Sequence, residues 1–370
     1  MENLAHTLLG LSFAKGGLER ATPLATTALV ISSNLPDIDV LSRVVGAGTG
    51  SYLEYHRGFT HGFVGLAILA AALTVALMFV DRRFRLRRDP FRRPLRPVRI
   101  FFLAYLGGLG HAFMDFTNVY GIRPLLPFSN HWFYGDIAFV VDPWIWLILG
   151  SAVVWLTTTD AARTFFWLVI GVIAALVVAL ALRHPYDSQM LTVPATARVI
   201  WFGGLAIIVV GTLFRWGRTG ERLARYSIFV LALYYCGMWM THQAAMREAR
   251  GSLRVGDVTS MAVWPAPANP LLWQAAAKTG DAVYTRNINL SDREEQWREL
   301  PVLDPKLAEA LRRSNEARSF LDFMRYGTSS VEERADGTTV VAIRDLRFDL
   351  RMRAELDREL NVTFVEVRWF

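Results

Sequence analysis

The chain has 370 residues, of which 53% are hydrophobic and 12% aromatic, and its formal charge is +7. With a mean hydropathy of +0.27 it is too apolar for an ordinary soluble protein of two domains and too long for one compact core. One cysteine, Cys236, excludes an intrachain disulfide and a thiolate metal cluster. Lysine occurs only at Lys15, Lys278 and Lys306, so the positive charge is arginine, gathered beside apolar runs. That pattern marks membrane topology and argues against a nucleic-acid partner.

In chain order, Glu2 stands where a signal peptide would carry a basic residue, and the apolar run after it is short. The start does not read as a cleaved leader. Leu4 to Phe13 and Ala21 to Pro36 are apolar but fall short of the ~20 residues of a perpendicular span, so a re-entrant or tilted helical hairpin is expected. Full spans are expected at roughly 61–80, 100–119, 142–158, 164–182, 198–214 and 226–241. The loop Asp81 to Arg99 holds nine arginines against two aspartates, and Arg215 to Arg225 holds four against one glutamate. The positive-inside rule places both in the cytoplasm, which leaves His56–His61, the 120–141 loop, the 183–197 loop and the C-terminal region outside.

After the last span the character changes. Residues 1–246 form the expected transmembrane domain and 247–370 a small extramembrane α+β domain. Trp264-Pro265-Ala266-Pro267-Ala268-Asn269-Pro270 reads as a turn-rich entry. Alternation predicts strands at 281–290, 338–348 and 361–370, and 304–326 has helical spacing. The fold class is thus a polytopic α-helical membrane protein, with about six spans plus an N-terminal helical hairpin and a C-terminal α+β domain.

Chemistry concentrates in three pieces. In Asn34-Leu35-Pro36-Asp37-Ile38-Asp39, Pro36 ends the preceding run, and an extended turn would place Asp37 and Asp39 on one side, facing a cation. Helix capping explains one aspartate but not two. In His56-Arg57-Gly58-Phe59-Thr60-His61 the histidines are five apart, about 140° on a helix, so a turn at Gly58 is expected, with Thr60 as an N-cap. Arg57 would bind a phosphate or carboxylate, or anchor the helix at the interface. His111 and Asp115 are four apart and share a helix face. At ~1.5 Å per residue from Arg99, His111 lies about 18 Å along the axis, at mid-membrane or slightly outward. A buried His–Asp pair that only joins helices is the structural alternative. His6, His131, Asp136 and Asp142 are weaker candidates, Trp144 and Trp146 read as interfacial belt residues, and His184 and His242 as solvent or interface residues.

Mixed imidazole and carboxylate donors suit a divalent ion, zinc before manganese or iron. Ionisable groups inside a membrane are costly, which makes them functional candidates. Such a site can activate water against an ester or phosphoester, with an aspartate (Asp39 or Asp115) as general base and Arg57 beside it. An amphiphilic or lipid-linked substrate follows from the location alone. The competing readings are a non-catalytic scaffold whose tail domain binds a protein partner, and a transporter with His111 and Asp115 on an ion path.

The motifs His6-Thr7, Leu35-Pro36-Asp37-Ile38-Asp39, His56-Arg57-Gly58-x-Thr60-His61 and His111-x-x-x-Asp115 resemble the bacterial and archaeal inner-membrane metal-dependent hydrolases, also called the LexA-binding, inner membrane-associated hydrolase family. The similarity covers roughly residues 1–160, and more loosely Tyr120-Gly121-Ile122-Arg123, Val141-Asp142-Pro143-Trp144 and Asn269-Pro270. It implies an inner-membrane location and brings His6 into the ligand set, giving His6, Asp37, Asp39, His56, His61, His111 and Asp115. The order of motifs is also distantly similar to zinc-dependent phospholipase C, whose trinuclear site includes the amine of a processed N-terminus. Met1-Glu2, with no evident cleavage, departs from that pattern.

Overall fold

The computed structural model describes residues 1–42, 49–89, 91–181, 195–216, 220–291, 295–348 and 350–369. Two compact units result. The first comprises Met1–Pro36, Phe59–His242 and Pro265–Leu272; the second comprises Asp37–Gly58, Gln243–Trp264 and Trp273–Phe370.

The first unit is helical. α1 (Asn3–Lys15) starts at Glu2, whose carboxylate accepts from the backbone N–H of Leu4 and Ala5, satisfying donors that a helix start leaves open. α2 (Ala25–Ser32) packs antiparallel in sequence sense against it after a short connection, which gives the expected hairpin. Asn34, just beyond α2, donates to Thr7 Oγ1 at 3.0 Å and to the Val30 carbonyl at 2.9 Å. The sequence elements His6-Thr7 and Asn34-Leu35-Pro36 are thereby tied together.

α3 (Thr49–Tyr55) belongs to the second unit. α4 (Phe63–Val80) runs on through a π-turn, Asp81–Arg85, to Arg88, and α5 (Pro97–Phe116) packs on both α2 and α4. Glycine makes the α1–α2–α5 contact possible. A Cβ on Gly10 would lie 2.6 Å from Ser33 Oγ and 2.9 Å from the Leu29 carbonyl, and one on Gly107 would collide with Ser32 Oγ. α6 (Pro143–Thr157), α7 (Ala161–Ala181), α8 (Ala195–Leu213) and α9 (Glu221–Ser252) complete the series.

Among the described residues, five helices are long and apolar enough to cross a membrane: Phe63–Arg88, Pro97–Phe116, Ala161–Leu180, Ala195–Leu213 and Glu221–Ser252. Pro143–Thr157, at 15 residues, is a shorter apolar helix and lies where the span at 142–158 is expected. Large apolar side chains line the outside, among them Phe165, Ile173, Val199 and Phe229. Only 6% of the α7 window is buried, a surface that water would penalise heavily and lipid accepts. Trp146 corrects the interfacial-belt reading. It is buried with Leu8, Ile145 and Leu149 in the helical core, donates to the Glu2 carboxylate and packs against Trp201.

The second unit carries most of a C-terminal β region: two four-stranded sheets of order β1-β2-β3-β4 and β5-β6-β7-β8. The strands are β1 (Ser260–Ala266), β2 (Asn269–Lys278), β3 (Ala282–Asn289), β4 (Arg298–Pro301), β5 (Gly327–Glu333), β6 (Thr339–Asp345), β7 (Leu350–Leu356) and β8 (Val362–Trp369). The expected strands at 281–290, 338–348 and 361–370 correspond to β3, β6 and β8. The proline-rich entry is a hairpin, because its turn falls at Pro267-Ala268, with Ala268 at a φ of 53°, and its flanks pair. β7 shows the period-two rule plainly, with Leu350, Met352, Ala354 and Leu356 inward and Arg351 and Arg353 outward. The helix expected over 304–326 is split into α10 (Pro305–Leu311) and α11 (Asn315–Phe323). Asp345 and Arg347, both fully buried, pair at 2.7 Å, and the same guanidinium donates to the Phe323 carbonyl. The charges are thus compensated inside the domain.

Candidate metal centre

In the first unit the side chains of His6, His61, His111 and Asp115 are fully buried and converge. α5 delivers His111 and Asp115 from one face, one helical turn apart, with His111 Nε2 3.3 Å from Asp115 Oδ2. His61 ends a 3-10 turn, Phe59–His61, and Gly62, not Thr60, caps α4. That corrects the expected cap: Thr60 Oγ1 instead lies 3.1 Å from His61 Nδ1. His61 Nε2 is 3.2 Å from Asp115 Oδ2 and 3.0 Å from His111 Nε2. His6, on α1, stacks on His111 at 3.7 Å between ring centroids, and its Nε2 is 3.5 Å from Asp115 Oδ1. The Met1 amine pairs with the same oxygen.

These separations can be tested against a cation. A tetrahedral shell with bonds of ~2.0–2.1 Å sets its donor atoms about 3.3 Å apart. The three distances among His61, His111 and Asp115 are 3.0, 3.2 and 3.3 Å. The tautomer agrees. His111 Nδ1 is 2.8 Å from the Ser33 carbonyl, an oxygen that only accepts, so the proton sits on Nδ1 and the Nε2 lone pair faces the cluster. An imidazole lone pair, a second imidazole nitrogen and a carboxylate oxygen meeting in a dry interior repel one another unless a cation or shared proton stands among them. His6 adds a further sign, since among the described residues its buried Nδ1 meets no hydrogen-bond partner and its Nε2 has only the long approach to Asp115. The donor set fits a divalent ion.

The second unit holds its own group: Asp37, Asp39 and His56 each offer a ligand atom, all within 4.8 Å of one another. Asp37 and Asp39 lie in a 3-10 helix, Leu35–Leu41, and not in the expected extended turn. On such a helix residues two apart point in different directions, so the grouping is made by the partner segment and not by local periodicity. Asp39 Oδ1 is 2.8 Å from His56 Nδ1, and Oδ2 accepts from the Arg57 backbone N–H at 2.9 Å. Arg57 has a φ of 54°, a left-handed backbone that a non-glycine residue rarely adopts, and the Asp39 bond fixes it there. The Tyr52 ring stacks on His56 at 4.5 Å.

The other candidates are placed elsewhere. Asp142 caps α6 by accepting from the Trp144 N–H and also accepts from the Tyr234 hydroxyl at 2.7 Å. His131 is exposed and packs its ring on Phe133, and Asp136 is buried in the loop after α5. His242 lies in α9 and belongs to neither group of donors, and His184 lies outside the described residues. Sequence reasoning missed Ser33 and Met1. Ser33 had one signal, its place next to Asn34 in the motif, while its backbone carbonyl carries no side-chain signature.

Apolar helices with lipid-like outer surfaces around buried histidines and aspartates define an integral membrane protein with a candidate metal centre. The model of the YdjM inner membrane protein family matches residues 1–186, half of the chain. The chain belongs to that inner-membrane family, in keeping with the resemblance of its motifs. It is also similar to the uncharacterized protein YfhP of Bacillus subtilis (strain 168), 23% identical over 194 residues. That match covers 50% of this chain and 55% of the relative, so the chain spans about half the length of the curated relative it matches. No solved structure matches the chain.

Proposed function

We propose that the protein is a metal-dependent hydrolase embedded in the inner membrane, acting on a lipid or lipid-linked ester or phosphoester at the outer face. The observation that carries this reading is the convergence of His61, His111 and Asp115 at the donor spacing of a divalent ion inside an apolar helical unit. These three residues would hold the ion with His6 at their side, and Asp37, Asp39 and His56 would supply a second set of donors. Zinc suits imidazole and carboxylate donors best, with manganese or iron next. Such an ion supplies Lewis-acid chemistry and brings the pKa of water toward neutrality.

The chain's own groups do the rest. Ser33 holds the His111 proton on Nδ1. Asp39 orients His56, and whichever of Asp39 and Asp115 is left uncoordinated by the ion is the candidate general base. Arg57 brings a fixed positive charge next to His56, suited to an anionic phosphoester oxygen. The arginine-rich 81–99 and 215–225 loops support a cytoplasmic placement of those segments, and with it an outer-face site and an external tail domain. The exposed apolar helices favour a substrate that already resides in the bilayer.

The test is turnover of phospholipids and lipid-linked phosphoesters by the full chain in nanodiscs, with and without chelator. Expected is chelator-sensitive product release that zinc or manganese restores and His111→Ala abolishes. No turnover by metal-replete protein would overturn the hydrolase reading and favour a scaffold whose tail domain binds a protein partner.

A further inference from the structure

The segment with Asp37, Asp39, His56 and Arg57 lies between two parts of the helical unit in sequence, yet it forms a compact unit with the C-terminal domain. The contact is specific. α3 packs against α11 and also meets β8. At its first turn Gly50 packs tightly: a Cβ there would lie 3.0 Å from Glu316 Cα and 3.0 Å from Glu316 Cγ, so that Glu316 would have to give way by a few tenths of an ångström. Further along, Leu53 is 1% exposed. Partial burial and the nearby Glu366 carboxylate raise the Glu316 carboxyl above its ordinary value.

From α3 the linkage to the donors takes two steps. Tyr52, one turn before His56, stacks on the imidazole with an interplanar angle of 19°. Asp39 then joins His56 Nδ1 to the Arg57 N–H. Carboxylate–histidine pairs of this kind orient metal-binding imidazoles. A seven-residue helix such as α3 is too short to persist alone in water. Its position is set by what it packs on, and that is α11 and β8, which lie far beyond residue 186, where the family match ends.

We infer that the C-terminal domain is a positioning element for the Asp37–Asp39–His56 donors, through α11 against α3, and that Gly50 and Glu316 are its positioning residues. This inference rests on the metal-binding reading above. It makes the domain a part of the site's machinery and not an appendage, and it means that displacement of α11 would alter the His56 group.

The experiment uses the full chain in detergent, loaded with cobalt(II), and reads the visible ligand-field spectrum and the metal affinity. The variants are Gly50→Leu, Gly50→Ala and Gly50→Ala with Glu316→Ala, and thermal unfolding confirms that each is folded. Second-sphere changes typically weaken metal binding about 10- to 100-fold, and Gly50→Leu is expected in that range, with an altered spectrum. Gly50→Ala should show a smaller loss, and Glu316→Ala should recover the part of it that comes from Cγ, a partial rescue that mere destabilisation would not give. Unchanged affinity and spectrum in folded Gly50→Leu and Gly50→Ala, with cobalt bound to wild type, would overturn the positioning role alone. Failure of wild type to bind cobalt would instead remove the metal reading beneath it.

Discussion

His111 and Ser33 are joined by a 2.8 Å hydrogen bond in which the imidazole Nδ1–H donates to a backbone carbonyl. This one contact decides which nitrogen of His111 faces His61 and Asp115. It exists because α1, α2 and α5 approach closely at Gly10 and Gly107, where side chains would strike Ser33, Ser32 and the Leu29 carbonyl. The proposed chemistry therefore depends on backbone proximity as much as on the ligands.

Enlarging Gly107 should accordingly damage the site from outside it. Gly107→Leu forces the helices apart, with a cost of about 1–3 kcal/mol for overpacking. Thermal unfolding together with metal titration checks this. Lower stability and weaker metal binding are expected, whereas full metal affinity would show that the His111–Ser33 contact is dispensable.

Asp39 bonds both His56 and the strained Arg57 backbone, so its loss should be felt twice. Asp39→Ala is expected to cost about 1–3 kcal/mol, as for a buried charged acceptor removed from its donors. It should also weaken metal binding by about 10- to 100-fold, and Asp39→Asn should do less harm on both counts. Denaturant unfolding of the two variants in parallel gives the comparison.

The proposed topology is open to labelling. With Cys236 replaced by serine, a cysteine at Ser291 should react with a membrane-impermeant maleimide in intact cells, while one at Arg87 should react only after permeabilisation. The reverse pattern would place the tail domain in the cytoplasm and invert the assignment of faces.

In the tail domain, Asp357 accepts from the side-chain and backbone amides of Asn361 and from the Glu359 N–H. Those bonds, chiefly that from the Asn361 side chain, hold its pKa below the ordinary value of 3.8. A depressed carboxyl binds fewer protons folded than unfolded, so its contribution is fully present above the ordinary value and is lost as pH falls below it through the lower folded pKa. Asp357→Ala should lower the tail-domain melting temperature near about pH 7, and the difference from wild type should shrink as pH falls below the ordinary carboxylate range. Calorimetry across that range checks the convergence.

Much of the architecture was legible because its signals are local. Long apolar runs gave the helices, period-two burial gave β3, β6 and β8, and the four-residue spacing put His111 and Asp115 on one face. Other features depend on contacts distant in sequence. Thr49–Tyr55 has no strong helical pattern and is shaped by α11, so the approach of His56 to Asp39 could not be read from spacing. β1 and β2 were hidden by prolines that sit at the hairpin tip, and Trp146 looked interfacial because its burial depends on Glu2 and Trp201. Ser33 contributes a carbonyl, which every residue possesses.

The most direct test of the central claim is the metal content of the detergent-purified full chain, measured by mass spectrometry for wild type, His61→Ala and His111→Ala. A stoichiometric divalent transition metal is expected in wild type and lost from both variants while they remain folded. Wild type that carries and takes up no such metal, even after reconstitution, would contradict the claim.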